Sequence, residues 1–322
     1  MKTTVVNRWT IMGIFVFILL APVGVAAQTT FSRLVVFGDS LSDPGNAFVL
    51  RRALSTPPYD TLDPLLIPDS PYAMGGHHFS NGATWVEQFA RPLGLAGNVR
   101  PAFQGAGTTA ANYAVGGARA RLDGINVNLS AQVIAFLTDV GGQAPSDGLY
   151  VVEIGGNDVR DALAALVSGG DAGAIISAAL ASVGDNIGVL HAAGAIKFLV
   201  WNTPNLRPTP AIRALDSISP GAGQAIEIIG QTFNAGLDAL LGYLSQLPGI
   251  EIKRFDAYQK VNDLVADPEA YGLDVVNAAC VMPNLPPFAC QMPDEYMFWD
   301  GIHPTRAVHG ILAQEAASVL AQ

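Results

Sequence analysis

The sequence predicts an α/β fold with one central parallel sheet and helices on both faces. Short apolar runs of strand length alternate along the chain with longer segments whose apolar residues recur at helical spacing, as in successive βαβ units. The strand candidates are continuously apolar, which is typical of strands buried on both faces. A chain of 322 residues that is 50% hydrophobic can form one large core, so we expect a single domain over residues 28–322.

The first predicted strand is Arg33–Phe37, and it ends at the sequence Gly38-Asp39-Ser40. A serine at the carboxyl end of a central strand faces the crevice in which open α/β sheets bind ligands. Asp39 and Ser40 are equally good helix caps. This segment alone therefore leaves a nucleophile and a cap as equal alternatives.

A proline-rich segment, residues 47–80, follows the serine directly. Its prolines exclude a long helix and predict an irregular loop. Long loops in compact domains are often functional, so this one is a candidate wall of a substrate pocket. At its end, His77 and His78 have no further metal ligands at suitable spacing, and we expect both to be exposed polar residues.

The rest of the chain alternates helices and strands. The predicted helices are Asn81–Leu93 with an Asn cap, Leu129–Val140 capped by Ser130, Ala172–Ala193 capped by Asp171, Gln224–Leu247 and Thr305–Leu320. The predicted strands are Asn112–Ala118 with its glycine turn, Gly148–Ile154, Ile196–Trp201 and Glu251–Phe255, and a proline-rich loop is predicted over 203–220.

Two of these strands lead into glycine turns. Gly116 and Gly117 permit a backbone N–H to approach a ligand closely. Gly155-Gly156 precedes Asn157, so this strand also presents a polar side chain at its end. Near the C-terminus, Asp300 and His303 are three residues apart across a glycine turn, a spacing that lets the carboxylate accept a hydrogen bond from the imidazole.

The N-terminal residues have the layout of a secretory signal peptide. Lys2 and Arg8 precede the apolar run Ile11–Leu20, and small residues then offer a cleavage site after Ala27. The alternative, an uncleaved membrane anchor, needs a longer apolar run. We expect residues 1–27 to be removed and the mature protein to be secreted or periplasmic, without stable membrane insertion.

The net charge narrows the possible binding partners, and the cysteine count indicates a disulfide. Loss of Lys2 and Arg8 with the leader moves the formal charge from −10 to −12, and an acidic surface argues against nucleic acid or anionic membranes as partners. Cys280 and Cys290 are the only cysteines. An even count in an exported chain favours one local disulfide; a zinc pair is the alternative, but no histidine or second cysteine pair lies nearby.

These signals together supply the parts of a nucleophilic ester hydrolase. His303 can take the proton of Ser40 if Asp300 fixes its tautomer. The N–H groups of Ser40 and Gly117 and the side-chain amide of Asn157 can converge on the charged oxygen formed by attack on an ester.

The same four segments resemble, in order, the conserved blocks of the GDSL (SGNH) serine hydrolases. The segments are F-G-D-S-L-S-D at 37–43, N-Y-A-V-G-G-A at 112–118, G-G-N-D at 155–158 and D-G-I-H-P at 300–304. F-S-N-G at 79–82 resembles the secreted lipase and esterase branch, although a histidine stands before Phe79 where relatives often carry arginine.

The resemblance implies a flavodoxin-like three-layer α/β/α fold. It also implies Ser40 as nucleophile, an Asp300 and His303 pair completing the triad, and Gly117 and Asn157 as oxyanion donors. Gly116 is the alternative to Gly117, and the spacing from Asn112 favours Gly117.

We therefore expect an exported hydrolase that cleaves small-molecule or lipid esters through an acyl-enzyme on Ser40, as an esterase, lipase or phospholipase. Acyl transfer to an alcohol uses the same intermediate and stays open. A metallophosphoesterase, resting on Gly38, Asp39, Asn157 and the histidines, is the rival from another class, but it lacks clustered Asp and His ligands. We expect no metal or other cofactor.

Overall fold

The computed structural model of the protein describes residue 1, residues 31–105 and residues 109–322. Apart from Met1, the predicted signal peptide over residues 1–27 lies outside the described residues.

The centre of the fold is a four-stranded parallel sheet in which the strands follow one another in chain order. The strands are β1 (Arg33–Gly38), β2 (Gly148–Glu153), β3 (Lys197–Trp201) and β4 (Glu251–Phe255). A smaller pair consists of β5 (Val275–Ala279) and β6 (Tyr296–Phe298). The prediction of a central parallel sheet is confirmed.

Residues 111–115 run beside β1 on its free edge without forming a regular strand. The Val36 N–H donates to Ala111 O at 2.9 Å, and the Tyr113 N–H donates to Val36 O at 2.8 Å. Counted as an irregular strand, this segment gives the sheet the order 2-1-3-4-5, which is the flavodoxin-like order. Ligands bind such sheets where the strand order reverses, at the carboxyl ends of β1 and β2 here.

Two layers of helices cover the sheet. Alternate residues of β1 belong to opposite apolar layers: Val35 and Phe37 belong to one core cluster, Leu34 and Val36 to the other. This is the three-layer α/β/α arrangement expected from the sequence. The helices are α1 (Asn46–Arg51), α2 (Trp85–Ala90), α3 (Leu129–Asp139), α4 (Gly156–Val167), α5 (Ala172–Ala192), α6 (Pro210–Ile218), α7 (Ala222–Leu244), α8 (Ala257–Ala266) and α9 (Arg306–Ala321).

Several local expectations need correction. The segment 203–220 is not wholly loop, because Thr209 caps α6 by accepting from the Ile212 N–H at 3.4 Å and proline suits the first helical position. Ser130 is not the cap of α3. That helix begins after Asn128, whose side chain instead accepts from the Arg119 N–H at 2.8 Å.

The apolar helix α5 is long enough, by length and composition, to cross a membrane. In the fold it packs against α3, α4 and α7. The side chain of its N-cap, Asp171, accepts from the Ala174 N–H at 2.9 Å, which confirms the predicted cap.

A separate apolar cluster lies under the disulfide loop. Cys280 and Cys290 form a disulfide, as expected, with their Cα atoms 4.8 Å apart. Cys280 is buried together with Tyr59, Tyr72 and Trp299. The loop is thereby packed against the proline-rich segment and against the residue that precedes Asp300.

Candidate active site

The strand β1 ends at Gly38, where only glycine fits. The turn that contains Ser40 follows directly and is called the serine turn below. A Cβ on Gly38 would lie 2.5 Å from Glu153 O, so a larger residue would push β1 away from β2. The turn itself is held by Asp39, whose Oδ1 accepts from the Leu41 N–H at 3.1 Å. Ser40 is left partly exposed at the carboxyl edge of the sheet.

Ser40, His303 and Asp300 lie in one hydrogen-bonded chain. His303 Nε2 is 2.9 Å from Ser40 Oγ, and His303 Nδ1 is 2.8 Å from Asp300 Oδ2. Asp300 is fully buried and His303 nearly so. The structure thus brings Ser40 into contact with His303, which lies 263 positions later in the sequence.

The Asp300 carboxylate accepts four hydrogen bonds. Its Oδ1 accepts from the backbone N–H of Ile302 at 2.9 Å and of His303 at 2.8 Å. Its Oδ2 accepts from the His303 imidazole and from the Tyr72 hydroxyl, the latter at 3.0 Å. Burial, followed by the charge of Asp300, raises the pKa of Tyr72, so the hydroxyl stays protonated and donates. Sequence reasoning missed Tyr72.

Asp43 connects the turn at Gly116 and Gly117 to the segment that follows Ser40. Oδ2 of Asp43 accepts from the Gly116 N–H at 2.8 Å and from the Ala47 N–H at 3.0 Å, and Oδ1 accepts from the Gly45 N–H at 2.7 Å. Burial raises the pKa of Asp43 to about 6, although these bonds oppose the rise. Because the Gly116 N–H is occupied, Gly117 is the better candidate for an oxyanion donor.

The three candidate oxyanion donors differ in their surroundings. Within the described part of the chain, the backbone N–H groups of Ser40 and Gly117 have no protein acceptor. Gly117 has a φ of 83°, a left-handed conformation that favours glycine. The Asn157 amide donates to Ala118 O at 2.9 Å and faces Asp39 Oδ2 at 3.4 Å, the long limit of a hydrogen bond.

A largely apolar cavity opens beside Ser40. Its polar lining residues are Asp39, Ser40, Glu153, Asn157, Arg160, Asn205, Thr209 and His303. The cavity is otherwise lined largely by apolar side chains, including Leu41, Trp201, Leu206, Val261, Phe298 and Leu312.

The expectation that the proline-rich segment forms a pocket wall is wrong for this cavity. None of the described residues that line it comes from 47–80. The segment instead supports the triad, because Tyr72 contacts Asp300 and the Phe79 ring lies 5.4 Å from the His303 ring.

His78 is not exposed, contrary to expectation. It is buried, and its Nε2 lies 2.8 Å from Glu87 Oε2. This contact raises the pKa of His78 and lowers that of Glu87, in each case against the cost of burial. Glu87 also completes the capping box of α2 with Thr84. The Thr-x-x-Glu spacing indicates the cap of α2, but no sequence pattern indicates the pairing of Glu87 with His78.

Over residues 31–105 and 109–322, no group of three or more His, Cys, Asp or Glu side chains is placed to hold a metal ion.

A serine at a strand end, hydrogen-bonded to a histidine that is in turn hydrogen-bonded to a buried aspartate, defines the site of a serine hydrolase. The chain matches the GDSL-like lipase/acylhydrolase family over residues 34–316 and belongs to that family. It is therefore a carboxylic-ester hydrolase.

Similar proteins include several plant relatives. A GDSL esterase/lipase of Arabidopsis thaliana is 25% identical over 324 residues, covering 89% of this chain and 85% of the relative. A second GDSL esterase/lipase of that plant is 24% identical over 321 residues, covering 88% of this chain and 89% of the relative. A third is 31% identical over 137 residues, 38% of this chain and 39% of the relative.

Proposed function

We propose that the protein is an exported esterase or lipase that cleaves carboxylic esters through an acyl-enzyme on Ser40. The observation that carries this proposal is the hydrogen-bond chain from Ser40 Oγ to His303 Nε2 at 2.9 Å and from His303 Nδ1 to Asp300 Oδ2 at 2.8 Å. These contacts match the roles of nucleophile, base and orienting acid.

In this mechanism Ser40 Oγ attacks the ester carbonyl carbon while its proton passes to His303 Nε2. Asp300 fixes the tautomer with hydrogen on Nδ1 and stabilises the imidazolium that forms. His303 then gives the proton to the leaving alcohol oxygen as the ester bond breaks. Water, activated by His303, hydrolyses the acyl-enzyme and restores Ser40.

Negative charge develops on the carbonyl oxygen during both attacks. We assign its stabilisation to the backbone N–H groups of Ser40 and Gly117 and to the Asn157 amide. One well-placed donor of this kind typically contributes about 3–4 kcal/mol to lowering the barrier. The long contact from Asn157 to Asp39 leaves this amide able to make a shorter bond to substrate.

The apolar lining of the cavity favours substrates with an extended hydrocarbon acyl group, including lipids and phospholipids. Each methylene group that leaves water is worth about 0.8 kcal/mol, or roughly fourfold in kcat/KM. The acidic composition does not favour an anionic membrane as the site of action. Export by removal of residues 1–27 is part of the proposal, and an N-terminus at Gln28 in the exported protein tests it.

The proposal is tested with p-nitrophenyl esters from acetyl to palmitoyl and with phosphatidylcholine, using wild type and Ser40→Ala. We expect kcat/KM to rise from acetyl to octanoyl and to vanish in the variant. A preference for acetyl over all longer acyl groups would contradict the assignment of the cavity. Product analysis in the presence of a short alcohol separates free acid from transferred acyl ester, and a predominance of the transferred product would make the protein an acyltransferase.

A further inference from the structure

Arg160 lies in α4 three residues after Asn157 and lines the same cavity as Ser40. Its Nη1 donates to Asn157 Oδ1 at 3.2 Å. Among the residues that the structure describes, Arg160 makes no ion pair. Neighbouring Asp161 instead pairs with Arg119 at 2.9 Å and with Arg121 at 2.5 Å.

An arginine in this position needs an explanation, because burial disfavours its charged form. Burial, together with the nearby charge of Arg119, lowers the pKa of Arg160. A guanidinium nevertheless remains charged in proteins. The one hydrogen bond that its side chain makes to the described residues is therefore charge-assisted and runs to the amide that we assign to the oxyanion.

The two ends of the Asn157 amide have partners that cannot be exchanged. Ala118 O can only accept, so it requires the NH₂ end of the amide. The Arg160 guanidinium can only donate, so it requires Oδ1. A flipped amide would place two acceptors against each other at Ala118 and two donors against each other at Arg160, and the observed orientation is thus the one in which both ends are satisfied.

We propose that Arg160 is a positioning residue that holds the Asn157 amide so that its second N–H, which makes only a 3.4 Å contact to Asp39 Oδ2, is available to the oxyanion. The inference rests on the proposed function, since it concerns the same site. A cationic donor on Oδ1 also withdraws electron density from the amide, and bonds in such chains strengthen one another. Arg160 thereby makes the N–H of Asn157 a better donor without contacting the substrate.

The test uses Arg160→Met, which keeps the length of the side chain but removes the donors, and Arg160→Lys, which keeps a cation and a donor. Asn157→Ala and the double variant Asn157→Ala/Arg160→Met complete a mutant cycle. Arg91→Met, at an exposed arginine outside the site, is the matched control. Each variant is assayed for kcat and KM on one p-nitrophenyl ester and for thermal unfolding.

We expect Arg160→Met to lower kcat by about tenfold or more, less than the loss of a whole oxyanion donor, with KM nearly unchanged. Arg160→Lys should retain most of kcat, and Arg91→Met should behave as wild type. In the Asn157→Ala background the Arg160→Met change should alter kcat by less than about twofold, because the amide it positions is gone.

The outcomes distinguish a failure of the positioning role of Arg160 from a failure of the oxyanion role of Asn157. If Asn157→Ala is impaired but Arg160→Met lowers kcat equally in both backgrounds, or raises only KM, the positioning role is overturned and the proposed function stands. If Asn157→Ala itself keeps full kcat, the oxyanion role of Asn157 fails and the inference fails with it. Should Arg160→Met not fold, equal kcat in Arg160→Lys and Arg160→Gln variants would overturn the need for a cation.

Discussion

The Asp300 carboxylate accepts hydrogen bonds both from its own turn and from a distant part of the chain. The contact from the His303 imidazole was predicted from the three-residue spacing, and the backbone contacts from Ile302 and His303 arise within the same tight turn. The contact from Tyr72 spans 228 residues, and no local pattern indicates it. A contact inside a motif was accessible from sequence, whereas support from distant side chains was not.

His303 and Asp300 are expected to differ in importance. His303→Ala removes the base, whereas Asp300→Ala leaves a histidine that is less well oriented. We expect losses in kcat of about 10⁶-fold and about 10⁴-fold respectively, as is typical of triad hydrolases. Steady-state kinetics on one ester decide the order, and a larger loss in Asp300→Ala would contradict it. Tyr72→Phe, which removes one of four bonds, should lose less than either.

We expect the stability of the protein to depend on pH through His309. It is buried and its Nδ1 accepts from the Trp85 N–H at 3.2 Å, and burial lowers its pKa to about 3. Between about pH 6.5 and pH 3 the unfolded chain therefore binds a proton that the folded protein does not. The stability that neutral His309 contributes is complete above pH 6.5 and is lost as pH falls, at up to about 1.4 kcal/mol per pH unit.

His309→Asn keeps an acceptor but cannot be protonated. Its free energy of unfolding should fall less steeply with acidification than that of wild type. Urea denaturation at pH 7, 6, 5 and 4 measures both slopes, and other titrating groups cancel in the comparison. Identical slopes would show that His309 is not the group responsible.

Gly116 is in tight contact with Phe79 of the proline-rich segment. A Cβ on Gly116 would lie 2.0 Å from Phe79 Cε2, and the Phe79 ring lies 5.4 Å from that of His303. Gly116→Ala should therefore displace Phe79, destabilise the fold by about 1–3 kcal/mol and reduce activity.

Gly188→Ala on α5 is the matched control, because its Cβ would meet nothing within 4 Å. We expect unchanged activity and a gain of up to about 1 kcal/mol from helix propensity. Thermal unfolding and ester turnover are compared for both variants. A Gly116→Ala protein with wild-type turnover would show that the Phe79 position is not important for His303.

The disulfide loop is bonded to the strand that leads to Asp300. The Cys280 N–H donates to Phe298 O at 3.1 Å, and the Val281 N–H donates to Trp299 O at 2.8 Å. These backbone bonds do not require the disulfide. We therefore expect the Cys280→Ser/Cys290→Ser variant to lose about 3 kcal/mol of stability, as loop entropy predicts, and to keep its turnover well below its melting temperature.

Two measurements check this expectation. Denaturant unfolding of wild type and of the double variant gives the stability difference, and turnover at 25 °C gives the effect on the site. A variant of equal stability would exclude a stabilising role. Impaired turnover in a fully folded variant would show that the disulfide positions the Asp300 turn.

Helices and strands were predicted correctly where the apolar residues of a segment recur with one clear period. The prediction failed where a sequence motif overlaps a helix or strand. The strands β1 to β4 and the helices α5, α7 and α9 agree with expectation to within a few residues. Helix α4 was missed because its first turn is the G-G-N-D segment, which indicates a turn when considered alone. The residues 111–115 have a strand-like sequence but pair only irregularly with β1.

For the whole molecule, the alternating pattern was sufficient to predict a parallel three-layer fold. The parallel register of β1 and β2 places Gly38 beside Glu153, so Ser40 and Asn157 follow neighbouring strand ends. The sheet topology determines this placement, and the sequence motifs identify the two residues. His303, which lies just before α9, is at the same edge. It is far from Ser40 in the sequence, and only the complete fold shows that the two residues are close.

Covalent labelling identifies the nucleophile of the enzyme, which we expect to be Ser40. A p-nitrophenyl alkylphosphonate should inactivate the wild-type enzyme with one adduct per chain, and peptide mass spectrometry should locate that adduct on Ser40. His303→Ala should label far more slowly because Oγ then lacks its base. An adduct on any other serine, or ester turnover that survives complete labelling of Ser40, would contradict the account.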